Sequence, residues 1–159
     1  MSDIGDGFKE IQVTVNVNHS PVSVPGFAHD NCPGLAVTMH PFGAFTVTHI
    51  ESGMKMCGHY ERASNAILVM SQYALIAASK GLSWSDLDSQ GAIKIISDAS
   101  ADDVPFDGYT STSIEGVRKL TVKEWRGSLT DSFFDEFPWE EHDPFEGAVQ
   151  NFNKIEVAA

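Results

Sequence analysis

The chain has 159 residues, 42% of them apolar, with 22 acidic against 10 basic residues and a net charge of −12. That length supports one domain with a sizeable core that needs neither disulfides nor metal. A surface this negative repels phosphate, which argues against direct binding to duplex nucleic acid or anionic lipid and favours a basic protein surface as partner.

The opening residues, MSDIGDGFKE, are acidic and lack an apolar run, so no secretory signal is read there and an intracellular protein is expected. Residues 8–17 alternate, with Ile11, Val13, Val15 and Val17 on one side, and predict a strand. Pro21, Pro25 and Gly26 interrupt the following stretch, and residues 18–34 are expected to form a loop. Residues 35–40 and 44–50 are two further strands, joined across Pro41-Phe42-Gly43. After a turn at Glu51-Ser52-Gly53, residues 54–59 suit a third, short strand of a meander.

Residues 61–80 carry the clearest helical pattern, with Ala63, Ala66, Ile67, Met70, Ala74, Leu75 and Ala78 at helical spacing and Gly81 as the stop. Leu68, Val69 and Ile76 place apolar groups on the remaining sides, so most of the circumference is expected to be buried. The apolar run, interrupted at Ser71, Gln72 and Tyr73, is too short to cross a bilayer. Residues 83–86 offer caps for a further element, and 92–96 suit a helix or a strand. Residues 97–113 read as loop. Thr121-Val122-Lys123-Glu124 matches a capping box that would open a short helix to about residue 129, although residues 120–125 also alternate as a strand would. Pro138 and Pro144 prevent a continuous helix beyond, and residues 148–157 suit one last short element.

The expected fold is α+β: a small antiparallel sheet of three to five strands, packed by one main helix over about residues 61–80, with an irregular acidic C-terminal third. The expected organisation is a core domain over residues 1–130 and an acidic, aromatic extension over 131–159, packed on or next to it.

Both cysteines and four of the six histidines (His29, Cys32, His40, His49, Cys57 and His59) fall within 31 residues. His29-x2-Cys32 and Cys57-x-His59 would supply two imidazoles and two thiolates, a donor set that zinc accepts. A zinc-stabilised structural or virion-type module is therefore one alternative. Otherwise the histidines are sheet residues, the cysteines are core fillers, and no cofactor is expected. No GxSxG elbow, serine–lysine pair, calcium loop or phosphate-binding glycine loop occurs, so no catalytic residue is assigned. A small hydrolase-like enzyme with His49 or His59 as general base is the enzymatic alternative.

Asp102-Asp103-Val104-Pro105-Phe106 resembles the acidic tail tip of bacterial single-stranded DNA-binding proteins, which recruits repair and replication proteins. In that family the motif ends the chain, whereas here Asp107-Gly108-Tyr109 follows.

The stretch DSFFDEFPWEEHDPFE, residues 131–146, holds seven carboxylates, five aromatics and no Lys or Arg. Spaced carboxylates imitate a phosphate array, and a basic DNA-binding groove would accept them as a decoy. Asp135, Glu136, Glu140, Glu141 and Asp143, joined by Asp102 and Asp103, would meet the basic positions. Phe134, Phe137 and Trp139 would anchor. The competing reading folds those rings onto the domain's own core. The leading expectation is a non-enzymatic acidic protein, of inhibitor or DNA-mimic type, that binds a basic surface of a nucleic-acid-handling protein. In charge and size the chain resembles small acidic phage proteins that block host restriction or CRISPR machinery. No motif specifies an oligomeric state.

Overall fold

β1 (Phe8–Val17), β2 (Ser20–His29), β3 (Leu35–Met39), β4 (Phe45–His49) and β5 (Met54–Tyr60) form an antiparallel meander, ordered β1-β2-β3-β4-β5. α1 (Ala63–Lys80), a 3-10 turn (Trp84–Asp86) and α2 (Ser89–Ser97) follow. β6 (Thr110–Ser113) and β7 (Gly116–Lys119) pair as a separate hairpin, and α3 (Pro144–Asn153) comes last. The computed structural model describes residues 7–17, 19–39, 44–60, 63–97, 105, 110–113, 116–121, 124 and 144–155. The architecture is α+β, with one main helix on an antiparallel sheet. Among the described residues, no helix is long and apolar enough to cross a membrane.

Residues 20–29, expected as loop, are instead a strand paired with β1 along its whole length. Val22 and Val24 face Val15 and Val13 across the ribbon, an alternation that the prolines obscure. Pro21 and Pro25 stand opposite Asn16 and Gln12, four residues apart and so of one parity. Alternate pairs of an antiparallel ladder aim their N–H groups away from the partner strand. At both prolines the missing donor therefore falls on the side away from β1, where β3 pairs with Gly26 and Phe27 alone. His19, in the tight turn before β2, takes a left-handed φ of 67°.

Because so little of β2 pairs with β3, the distal ribbon leaves the plane of the sheet and folds over the face opposite α1. Gly53, in the β4–β5 turn, marks the closure: a Cβ built on it would lie 2.7 Å from the Thr14 carbonyl oxygen. Neighbouring strands lie about 4.8 Å apart, so β1 reaches that turn only because the sheet curls. Val13, Val15, Val24, Ala28 and Ala36 pack beneath the ribbon, with Ile11, Val22 and Ile50 at the edge. Thr38, Thr46 and Thr48 share that face, fully buried. Their hydroxyls close a triangle with sides of 2.8, 2.8 and 3.1 Å. The ring lets each hydroxyl donate to one neighbour and accept from the other, so three buried polar groups can be satisfied by one another.

The larger core lies on the opposite face, where Leu35, Val37, Val47, Met56 and Tyr60 meet α1. Every α1 residue from 69 to 77 is buried. The sheet covers one side of the helix and α3 another, with Ala148 and Phe152 fully buried in the same core. α1 ends as its sequence predicts. Gly81 takes φ +67°, its N–H bonds to the Ala78 carbonyl, and the Leu82 N–H bonds to the Ala77 carbonyl. The ambiguous run at 92–96 is helical. Asp88 caps it by accepting the Gly91 N–H at 2.8 Å, and Ala92 enters the core. The capping box at Thr121 forms both reciprocal bonds, at 3.0 and 3.2 Å. Part of the loop expected over 97–113 is strand, since β6 occupies its last four residues.

Gly53 and Gly81 share nearly the same left-handed φ, but open space surrounds Gly81. Gly81→Ala is expected to cost about 1 kcal/mol, from backbone strain alone. Gly53→Ala should cost about 2–4 kcal/mol, because the methyl group must also displace β1. Urea unfolding midpoints compare the two, and equal losses would show that β1 does not close over the turn.

Candidate functional site

The segment after α1 is held on the domain through Trp84, whose side chain is 1% exposed. Its indole N–H donates to the Tyr73 carbonyl at 3.0 Å, and its ring meets Tyr73 edge-on at 5.7 Å. The Tyr73 hydroxyl donates to the Met56 carbonyl on β5. The turn rests directly on Gly34, where a Cβ would sit 2.2 Å from the Ser85 nitrogen. With φ +98° as well, that position accepts only glycine.

His49 joins this turn to the sheet. Its Nε2 lies 2.9 Å from the Trp84 carbonyl oxygen and its Nδ1 lies 2.8 Å from Ser52 Oγ. A carbonyl only accepts, so in the neutral imidazole Nε2 carries the proton and Nδ1 accepts from the Ser52 hydroxyl. A hydroxyl bonded to an anchored imidazole has the layout of an activated nucleophile. Here Ser52 Oγ also accepts the Met54 N–H, His49 is buried, and neither residue lines the neighbouring cleft. The arrangement locks the β4–β5 turn to the Trp84 segment.

That cleft, of about 360 Å³, opens between the β2–β3 turn, the second half of α1 and the Trp84 segment. Ala74, Ala77, Cys32 and Trp84 form its apolar wall, and Asp30, Asn31 and Ser83 are its polar lining. Sequence reasoning did not find it. Its one linear signal is the alanine stripe of α1, which reads equally as ordinary core.

The two described members of the zinc set are both engaged in packing. His29 stacks on Phe152 with centroids 3.8 Å apart, and Phe8 meets it edge-on at 4.6 Å. Its Nδ1 accepts the Asn31 N–H at 3.0 Å, while Asn31 Nδ2 donates to the Phe152 carbonyl. This cluster holds the end of α3 against the β2–β3 turn, and Asn151 Nδ2 adds a bond to Ser71 Oγ on α1. The Cys32 thiol sits 3.9 Å from the Met70 carbonyl oxygen, and burial pushes its pKa well above the ordinary thiol range. Cys57 and His59 both belong to β5, but their side chains lie outside the described residues, as does His40. Among the described residues, no group of three or more His, Cys, Asp or Glu is placed to hold a metal ion.

The acidic and aromatic residues expected to meet a partner (Phe134, Asp135, Glu136, Phe137, Trp139, Glu140, Glu141, Asp143, Asp102 and Asp103) all lie outside the described residues. The chain on either side of residues 131–143 is anchored, with Leu120 packed against the core before it and Ala148 fully buried after it. Comparison with protein-family models, curated proteins and solved structures finds no match.

His49→Ala is expected to destabilise the fold by about 2–3 kcal/mol, since it removes a buried side chain and leaves the Trp84 carbonyl with the Leu87 N–H alone. Ser52→Ala, at the partly exposed end of the same chain of bonds, should cost about 1 kcal/mol. Chemical denaturation distinguishes the two. Cys32, in a Cys57→Ser background, should resist iodoacetamide at pH 8 in the folded protein and react promptly once unfolded. Mass spectrometry of the modified thiol reads the rate.

Proposed function

We propose that the chain is a non-enzymatic acidic protein that binds a basic surface of a nucleic-acid-handling protein and competes there with nucleic acid. The observation that carries this reading is the segregation of charge. Residues 101–159 hold thirteen acidic against five basic residues, whereas residues 1–100 hold nine against five. Seven of the acids fall between Asp131 and Glu146, interleaved with aromatics and with no basic residue.

The described fold supports the reading at the flanks of the acidic stretch. Leu120 and Ala148 pack in one core cluster, so the acidic stretch is bounded on both sides by residues of the same core. A segment tethered at both ends loses less chain entropy on binding than a free tail. The dense carboxylates would speed encounter with a cationic surface and make affinity fall with salt. The aromatic rings would supply the desolvated contacts that slow dissociation. An inhibitor of phage type is one form that such a competitor takes.

The full-length protein, immobilised, should retain a basic nucleic-acid-binding protein from native lysate at about 50 mM salt and release it by about 500 mM. Added duplex DNA should displace the same protein. The triple change Glu140→Gln, Glu141→Gln and Asp143→Asn should weaken binding of the purified partner at least about tenfold and flatten its salt dependence. A captured partner that DNA does not displace, or an affinity that neither salt nor the triple change alters, overturns the reading.

A further inference from the structure

The cleft beside Trp84 has the composition of a ligand site, and it is built by residues outside the acidic stretch. Its volume of about 360 Å³ falls within the range of small-molecule pockets. Ala74, Ala77 and Ala78 give it a flat helical wall of methyl groups, and Trp84, Pro33, Leu82 and Ile155 supply larger apolar surfaces. Leu82, at 41% exposure, leaves apolar area open to solvent beside it. Cys32 adds a buried, uncharged thiol.

The polar lining is one-sided. Asn31 donates one amide N–H to the Phe152 carbonyl, and its amide oxygen is available as an acceptor. Ser83 Oγ accepts the Ser85 N–H and shares a hydrogen bond with the Ser85 hydroxyl. Asp30 is the one charged residue among the described residues lining the cleft, and none of them is basic. Lys9 approaches Asp30 to 3.6 Å, but the two side chains are 59% and 66% exposed. Such a pair is weak and readily exchanged. It nonetheless marks Asp30 as a position where an ammonium group settles.

We infer that this cleft binds a small organic cation, a compact apolar body carrying one ammonium group. The body lies along the alanine wall against Trp84, and the ammonium takes the place of Lys9 at Asp30. A carboxylate on the same body is disfavoured, because it would meet the like charge of Asp30 with no basic residue among the described lining to offset it. The site is independent of any protein partner held by the acidic stretch.

Three probes of one skeleton test this on the full chain: 2-phenylethylamine, 2-phenylethanol and 3-phenylpropionate, titrated by calorimetry and ligand-observed NMR. The amine should bind with a Kd of about 1 mM or tighter. The alcohol should bind about fivefold more weakly, the modest factor expected of an exposed carboxylate, and the acid more weakly still. Asp30→Asn, an exposed change, should bring the amine to the level of the alcohol. Ala78→Trp, on the exposed edge of the alanine wall, should fill the cleft and abolish binding of both. Equal binding of the three probes, an amine preference that survives Asp30→Asn, or no amine binding at about 10 mM would overturn the assignment. So would undiminished binding to a folded Ala78→Trp protein.

Discussion

A buried tryptophan must satisfy its indole N–H as well as its backbone, and the way Trp84 does so ties the domain together. Its indole N–H reaches the Tyr73 carbonyl on α1, and its own carbonyl receives His49 from β4. Tyr73 in turn reaches β5 through its hydroxyl. An unpaired polar group at that depth costs roughly 1–3 kcal/mol, so the bonds act as a set. Sheet, helix and following segment are held in one arrangement by groups that have no water to fall back on. The cleft exists because of this arrangement: with the Trp84 turn seated on Gly34, the small residues of α1 leave a space that no large side chain fills.

The opposite face of the sheet solves a different problem. A meander of five strands with one helix would leave half its surface apolar and wet. The β1–β2 ribbon removes that exposure by curling over β3 and β4, so one sheet encloses a second core of its own. The threonine triangle belongs to this enclosure. Three hydroxyls on a buried face are costly singly and harmless as a closed ring. The prolines that punctuate β2 fit the same geometry, since they stand where the ribbon has left its neighbour and no donor is called for.

Two proposed binding elements differ in character. One is the proposed competitor for cationic grooves, the acidic, aromatic stretch whose flanks at Leu120 and Ala148 pack in the main core. The other is the cleft, apolar with a single carboxylate at its polar lining. Both proposals invoke positive charge, the first through many carboxylates acting at a distance and the second through one acting at contact. Their salt responses differ accordingly, because long-range attraction is screened strongly and apolar burial hardly at all.

Periodicity determined β1 and the long helix, because each pattern runs through enough residues to separate a period of two from one of 3.6, while the shorter β3, β4 and β5 were legible from the turns that bound them. Gly81 as a stop and the capping box at Thr121 were legible too, since each is a local bond pattern. β2 was not, because its prolines look like breakers until the partner strand shows which N–H groups are needed. The roles of His29, Cys32 and His49 were equally hidden: a histidine reads as ligand, base or packing residue, and the choice rests on neighbours up to 123 residues away, as in the stack of His29 on Phe152. Composition, charge segregation and local pattern are properties of the chain itself. The curl of the ribbon, the satisfaction of Trp84 and the cleft beside it were decided only in three dimensions, because each depends on contacts between residues that no linear spacing brings together.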